Sequence, residues 1–220
     1  MNHLEERHKI KFLRIFENEL NRFEKPTILE FGVSNKALST SIFLNKCIEK
    51  DGHLYSVDVI DYSHHFDSKN WKFIHSKDDN YDLIEKQIPE KFDIIYLDTI
   101  HSAKHVEKIL YYYYDKLNIG GVFVIDDTSL LPYLKDREKN NFSLEINNYE
   151  TFQRLLQIFN SNHENLYFES SFIGTGVVKL TKLNSKKLKK YGPLSDRKYS
   201  LKNIIRNIYL TLKQILKNES

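Results

Sequence analysis

Short, continuous apolar runs recur along this chain, and between them apolar residues return at three- and four-residue spacing. The runs are TILEFG, HLYSVDV, WKFIHS, FDIIYLD, GGVFVIDD, LYFESSF and GTGVVKL. Each is short enough for a strand, and an unbroken apolar character predicts strands covered on both faces. The intervening segments predict helices. Residues 4 to 23 place Leu13, Phe16, Leu20 and Phe23 on one face before Pro26 closes the segment. STSIFLNKCIEK follows the first strand, with Ser39 or Thr40 as N-cap. YDLIEKQI, SAKHVEKILYYYYDKL and a segment at about Tyr149 to Phe159 complete the set. Alternating strands and helices with two strands in succession at the end predict an α/β fold. Its sheet is doubly wound, mostly parallel and seven-stranded, with a C-terminal antiparallel hairpin.

That architecture says where to look for chemistry. In an open α/β sheet, ligands bind beyond the carboxyl ends of the strands. Five successive strands end there in polar residues: Glu30 and Gly32, then Asp58, then Ser76 and Asp78, then Asp98 and His101, then Asp126 and Asp127. One carboxylate at a strand end is commonly a helix cap or a solvated turn; the repetition at one edge points to a site.

Composition narrows the classes. With 220 residues, 40% hydrophobic and 13% aromatic, the chain can build one sizeable core and a short appendage. A single cysteine, Cys47, excludes an intramolecular disulfide and a cysteine-based zinc cluster. The charged N-terminal stretch MNHLEERHKIKFLRIF lacks the apolar centre of a signal peptide, and no run approaches a membrane span. A cytoplasmic protein is expected. The net charge of +3 is unevenly spread, because the segment from Lys179 onward carries +10 and the remainder −7. The expected division is a globular domain over 1–180 and a basic linker with an amphipathic helix over 181–220.

ILEFGVSNKALST, YSVD, FDIIYLDTIH and LNIGGVFVIDD together resemble the successive motifs of class I S-adenosylmethionine-dependent methyltransferases. They are most similar to the metal-dependent O-methyltransferases, the group that includes the catechol and macrocin-type enzymes. The resemblance covers roughly Pro26 to Leu180. It implies a Rossmann-like fold, S-adenosylmethionine as cofactor, and transfer of a methyl group to a hydroxyl of a small molecule or glycan. Members of the family carry more glycine after the first acidic residue; here Ser34, Asn35 and Lys36 follow Gly32.

The residues support a matching chemistry. A ribose diol needs a bidentate carboxylate acceptor, and Asp58 at the end of the second strand is placed for it. Gly32 permits close backbone approach, Glu30 can orient that loop or the methionine part of the cofactor, and Ser76 and Asp78 are candidates for the adenine. Asp98, Asp126 and Asp127, the positions the resemblance also implies, offer oxygen ligands of the kind that suit Mg²⁺. His101, three residues after Asp98, is the candidate general base, with Asp98 beside it. A nicotinamide dehydrogenase is the rival for an acid at the second strand end, but it prefers G-x-G-x-x-G, which EFGVSNKA does not supply.

Other features carry less. His64 and His65 read as a solvated pair, and His105 as an unsupported metal partner for His101. The run Tyr111 to Tyr114 should pack on the sheet, with two outward rings open to a partner, and residues 128 to 148 read as a lid or acceptor-recognition segment. In the tail, Leu201, Ile204, Ile205, Ile208, Tyr209, Leu212, Ile215 and Leu216 recur at helical spacing beside Lys202, Arg206, Lys213 and Lys217. Packing on the core, a homodimer contact and peripheral contact with the inner face of an anionic membrane all stay open. The alternative functional class is a nucleic-acid-binding methyltransferase, or a non-catalytic cofactor-binding module, that grips phosphates with this tail. The acidic main domain argues against nucleic acid.

Overall fold

The computed structural model describes residues 3–129 and 142–192, with residues 201, 202, 204–206, 208 and 209 of the tail. Seven strands form one sheet: β1 (Thr27–Phe31), β2 (His53–Asp58), β3 (Trp71–His75), β4 (Phe92–Leu97), β5 (Leu117–Asp126), β6 (Leu166–Ser171) and β7 (Val177–Lys182). Their spatial order is β3-β2-β1-β4-β5-β7-β6. The first five strands pair in parallel, and β7 enters antiparallel between β5 and β6. The helices are α1 (His3–Arg22), α2 (Leu38–Glu49), α3 (Tyr81–Glu85), α4 (Ala103–Tyr113) and α5 (Phe142–Asn162). The order reverses between β1 and β4, where the loops after these strands diverge and leave a crevice.

The core explains the arrangement. Ile28, Leu29, Phe31, Ile94, Ile95, Val122, Phe123, Val124 and Ile125 are all fully buried, as strands covered on both faces require. Under α1 the rings of Phe12, Phe16, Phe43 and Tyr96 meet edge to face, with centroids 4.9 to 5.7 Å apart in the T-shaped pairs. That cluster sets the rotation of α1. Its buried face is Phe12, Ile15, Phe16 and Leu20, whereas Leu13, expected inside, is 37% exposed.

Three further expectations change. No side chain caps α2: its N-cap is Ala37, in left-handed backbone at φ 43°, because Ser39 donates its hydroxyl to Glu30 instead. The outward tyrosines of α4 are already occupied, since Tyr112 stacks on Tyr81 at 3.6 Å and donates to Glu85, and Tyr111 donates to the Lys189 carbonyl. The compact unit runs to Lys189, past the expected boundary at 180. Lys182 is part of β7 and buried, its ammonium donating to the carbonyls of Tyr114, Asp115 and Leu117, and Asn162 holds the Lys189 backbone from both sides.

Residues 190–220 form a separate unit. Its described residues from 201 onward are helical, and Leu201, Ile205, Ile208 and Tyr209 are exposed there. Leu212, Lys213, Ile215, Leu216 and Lys217, like residues 130–141 of the expected lid, lie outside the described residues. Among the described residues, no helix is long and apolar enough to cross a membrane.

Candidate functional site

Backbone hydrogen bonds stitch the ends of neighbouring strands together. The Gly32 amide donates to Val57, the Ser76 amide to Asp58 and the Asp98 amide to Phe31, each at 2.9 Å. The loops beyond these strands therefore begin at one level and enclose a cleft of about 420 Å³. Gly32, Asp58, Ser76, Asp78 and Asp98 all line it. Val59, Thr99, Ile100 and His105 line it too, although sequence reasoning did not select Val59, Thr99 or Ile100. Val59 and Ile100 are 59% and 57% exposed, so each presents a branched apolar face to the opening. Their signal in the sequence was an apolar residue placed one or two positions beyond a strand-end aspartate.

Asp58 is held on both sides. One carboxylate oxygen accepts the Val33 amide and the other the Ile60 amide, both at 2.8 Å. It thus ties the β1 loop to the β2 turn, and each oxygen keeps a lone pair for a ligand. Gly32 has φ 97°, and a Cβ there would lie 2.0 Å from the Asp98 carbonyl oxygen. Just beyond, Ser34 adopts left-handed backbone at φ 54°.

Asp78 is directed inward. Its carboxylate accepts from Thr99 at 2.5 Å and pairs with His105 at 2.7 Å, which gives His105 a partner other than His101. Ser76 is buried and donates to the Lys77 carbonyl. Glu30 is completely buried, its two oxygens accepting from Ser39 at 2.6 Å and Ser56 at 2.8 Å. These bonds tie the end of β1 to α2 and to β2.

Loss of hydration pushes the Glu30 carboxyl up from 4.5 to about 7, against the pull of its serine donors. The folded protein therefore holds a proton that the unfolded chain releases between these pH values. The stability this contributes is complete below pH 4.5 and is lost as pH rises through 7. Glu30→Gln should accordingly be more stable than the native protein at pH 8, by up to roughly 3 kcal/mol. At pH 5 the gap should fall below about 1 kcal/mol. Urea denaturation at the two pH values measures it, and a gap independent of pH would mean that Glu30 is ionised at both.

At the next strand ends the acids come together. The Tyr96 hydroxyl lies 3.2 Å from Asp98 Oδ2 and 3.0 Å from Asp126 Oδ2. His101 reaches Asp127 through Nδ1 at 3.2 Å and faces Asp98 through Nε2 at 3.7 Å. Asp126 Oδ1 accepts the Asp127 amide at 2.9 Å and the Thr175 hydroxyl at 3.4 Å. The Asp98 carboxyl is pushed up to about 6, by partial burial first and by the charge of Asp126 and Asp127 next, while His101 pulls the other way. The structure thus brings Asp98, His101, Asp126 and Asp127 into one cluster beside the cleft. Their hard, anionic oxygens fit a divalent ion such as Mg²⁺ in kind. Among the described residues, no three His, Cys, Asp or Glu side chains are already arranged to hold a metal ion. His101 stands between two of the acids.

No family model matches the sequence, and no curated protein matches it either. Solved structures do. An S-adenosylhomocysteine-bound methyltransferase from Podospora anserina, PaMTH1, superposes with a TM-score of 0.61 at 12% identity, over 78% of this chain and 77% of that one. A putative caffeoyl-CoA O-methyltransferase from Staphylococcus aureus gives 0.57 at 14% identity, over 83% and 84%. MycE, a methyltransferase of mycinamycin biosynthesis in complex with Mg, S-adenosylhomocysteine and mycinamycin VI, gives 0.56 at 18% identity. The match covers 84% of this chain but only 50% of MycE. The chain therefore shares the fold of methyltransferases of known structure.

Proposed function

We propose that this protein is an S-adenosylmethionine-dependent O-methyltransferase that acts on a hydroxyl of a small molecule or glycan, with assistance from a divalent metal. The observation that carries the reading is the continuity of the cleft around Gly32 and Asp58 with the cluster of Asp98, His101, Asp126 and Asp127. One sheet edge offers a cofactor seat and, next to it, groups able to prepare an oxygen nucleophile.

The cofactor, when bound, supplies a methyl group on a sulfonium, which passes to the acceptor oxygen by in-line displacement. Asp58, its orientation fixed by the Val33 and Ile60 amides, would accept the ribose hydroxyls. Val59 and Ile100 would offer apolar contact to the adenine, and Ser76 and Asp78 would offer polar contact. Asp98, Asp126 and Asp127 would hold Mg²⁺, which offers charge compensation to an acceptor oxygen. His101 Nδ1 lies 3.2 Å from Asp127, and a proton held at Nδ1 there would leave Nε2 as the basic nitrogen. That nitrogen takes the acceptor proton. Alignment of the oxygen with the methyl group supplies much of the rate, so the fixed carboxylates matter as positioning groups as well as charges.

Calorimetric titration with S-adenosylmethionine and S-adenosylhomocysteine, each with and without Mg²⁺, tests the reading. Both ligands should bind at one site per chain, and neither should need the metal, because the cleft residues are distinct from Asp126 and Asp127. Absence of binding by both would overturn it.

A further inference from the structure

Tyr96 lies in the middle of the aromatic cluster under α1 and is 2% exposed, yet its hydroxyl emerges among carboxylates. The register explains how. Leu97 pairs with Ile125 across the parallel ladder of β4 and β5, so Asp98 and Asp126 are neighbours one position further on. Tyr96 and Asp98, two residues apart, project from the same side of the strand. The hydroxyl therefore arrives beneath both acids, 3.2 Å from Asp98 and 3.0 Å from Asp126.

Two carboxylates side by side repel, and unrestrained they turn apart toward water. A hydroxyl shared between them opposes this, because each oxygen gains by staying within reach of the same proton. The anchor is stiff. Phe12, Phe16 and Phe43 meet the Tyr96 ring edge to face, at 5.5, 5.2 and 5.7 Å, so the hydroxyl has little freedom to follow either acid outward. Asp126 is further fixed on its other oxygen by the Asp127 amide and Thr175. Among the described residues the Asp98 carboxylate accepts no backbone amide, so Tyr96 matters most for it.

We propose that Tyr96 is the positioning residue of the acidic cluster, holding Asp98 and Asp126 at a spacing from which one divalent cation is gripped by both. The proposal rests on the metal-assisted reading above. Tyr96 does not touch the ion or the acceptor; it acts through the two carboxylates, as residues behind metal ligands commonly do.

Mn²⁺, titrated into the full-length protein and followed by calorimetry and by the loss of its free paramagnetic resonance signal, is the probe. Tyr96→Phe keeps the ring and its packing and removes only the hydroxyl. It should bind Mn²⁺ about tenfold more weakly than the native chain, with S-adenosylhomocysteine affinity unchanged. Tyr114→Phe removes another buried hydroxyl, one that donates to the Asn165 carbonyl at 3.0 Å, and controls for a general loss of packing. It should leave Mn²⁺ affinity as it was. Equal Mn²⁺ affinity in Tyr96→Phe and the native chain would overturn the positioning role and leave the metal reading standing. A native chain that does not bind Mn²⁺ would overturn both. Equal weakening by Tyr96→Phe and Tyr114→Phe would reduce Tyr96 to a packing residue.

Discussion

Gly32→Ala should cost on the order of 4 kcal/mol of folding stability, among the larger effects a single added methyl group can have. Two penalties combine. The backbone at φ 97° is one that L side chains rarely adopt, and the new Cβ would fall 2.0 Å from the Asp98 carbonyl oxygen and 2.9 Å from its carbon. That obstacle is backbone at the end of β4, so it can yield only by separating β1 from β4 at the edge where both site loops begin. Gly120 supplies the contrast. It also has positive φ, at 80°, but nothing lies within 4 Å of a Cβ there. Gly120→Ala should therefore cost only about 1 kcal/mol, the backbone share alone. Urea denaturation of the two variants separates the contributions. Similar small losses in both would mean that the β1 loop can withdraw from β4 without harm.

Asp58→Ala should lower the affinity for S-adenosylmethionine and S-adenosylhomocysteine by about a hundredfold or more, because it removes a charged acceptor and unties a loop together. The Val33 and Ile60 amides both lose their 2.8 Å acceptor. The two causes can be separated with a cofactor product that lacks both ribose hydroxyls. If Asp58 holds the diol, that analogue should bind the native protein weakly, and Asp58→Ala should weaken it much less than it weakens the natural ligand. A loss of the same size for both ligands would assign Asp58 to the loop alone. Unchanged affinity for the natural ligand would remove it from the site.

The sheet and the position of its strand-end acids were legible because period and position are local. An unbroken run such as FDIIYLD reads as a buried strand wherever it occurs, and the first polar residue beyond it must lie at the strand mouth. Asp58, Asp98 and Asp126 follow from that rule. What could not be read depended on partners distant in sequence. Ser39 has the composition of an N-cap, yet a buried carboxylate on β1 takes its hydroxyl, and only the packing of α2 on β1 decides between the two. His105 reads as a spare ligand until α4 places it 2.7 Å from Asp78. Tyr96 reads as filler in an apolar run, since its ring does fill the core; the role of its hydroxyl appears only when β5 brings Asp126 alongside. The choice between Phe12 and Leu13 on α1 was equally non-local, being settled by rings from α2 and β4.

The entry of β7 between β5 and β6 bears on how this chain is made. As synthesis proceeds from the N-terminus, the five parallel strands can assemble before residues 177–182 exist, but β6 pairs with nothing except β7. Until the final strand arrives, the side of β5 that β7 covers has no partner, and β6 has none either. The exposed edge is the run Val122–Ile125, whose side chains are fully buried in the finished fold. Exposed, apolar strand edges recruit other chains. The interval of greatest danger for this protein is therefore a period of translation, and a ribosome that stalls before Val177 would release a product prone to aggregate although most of its sheet is already present.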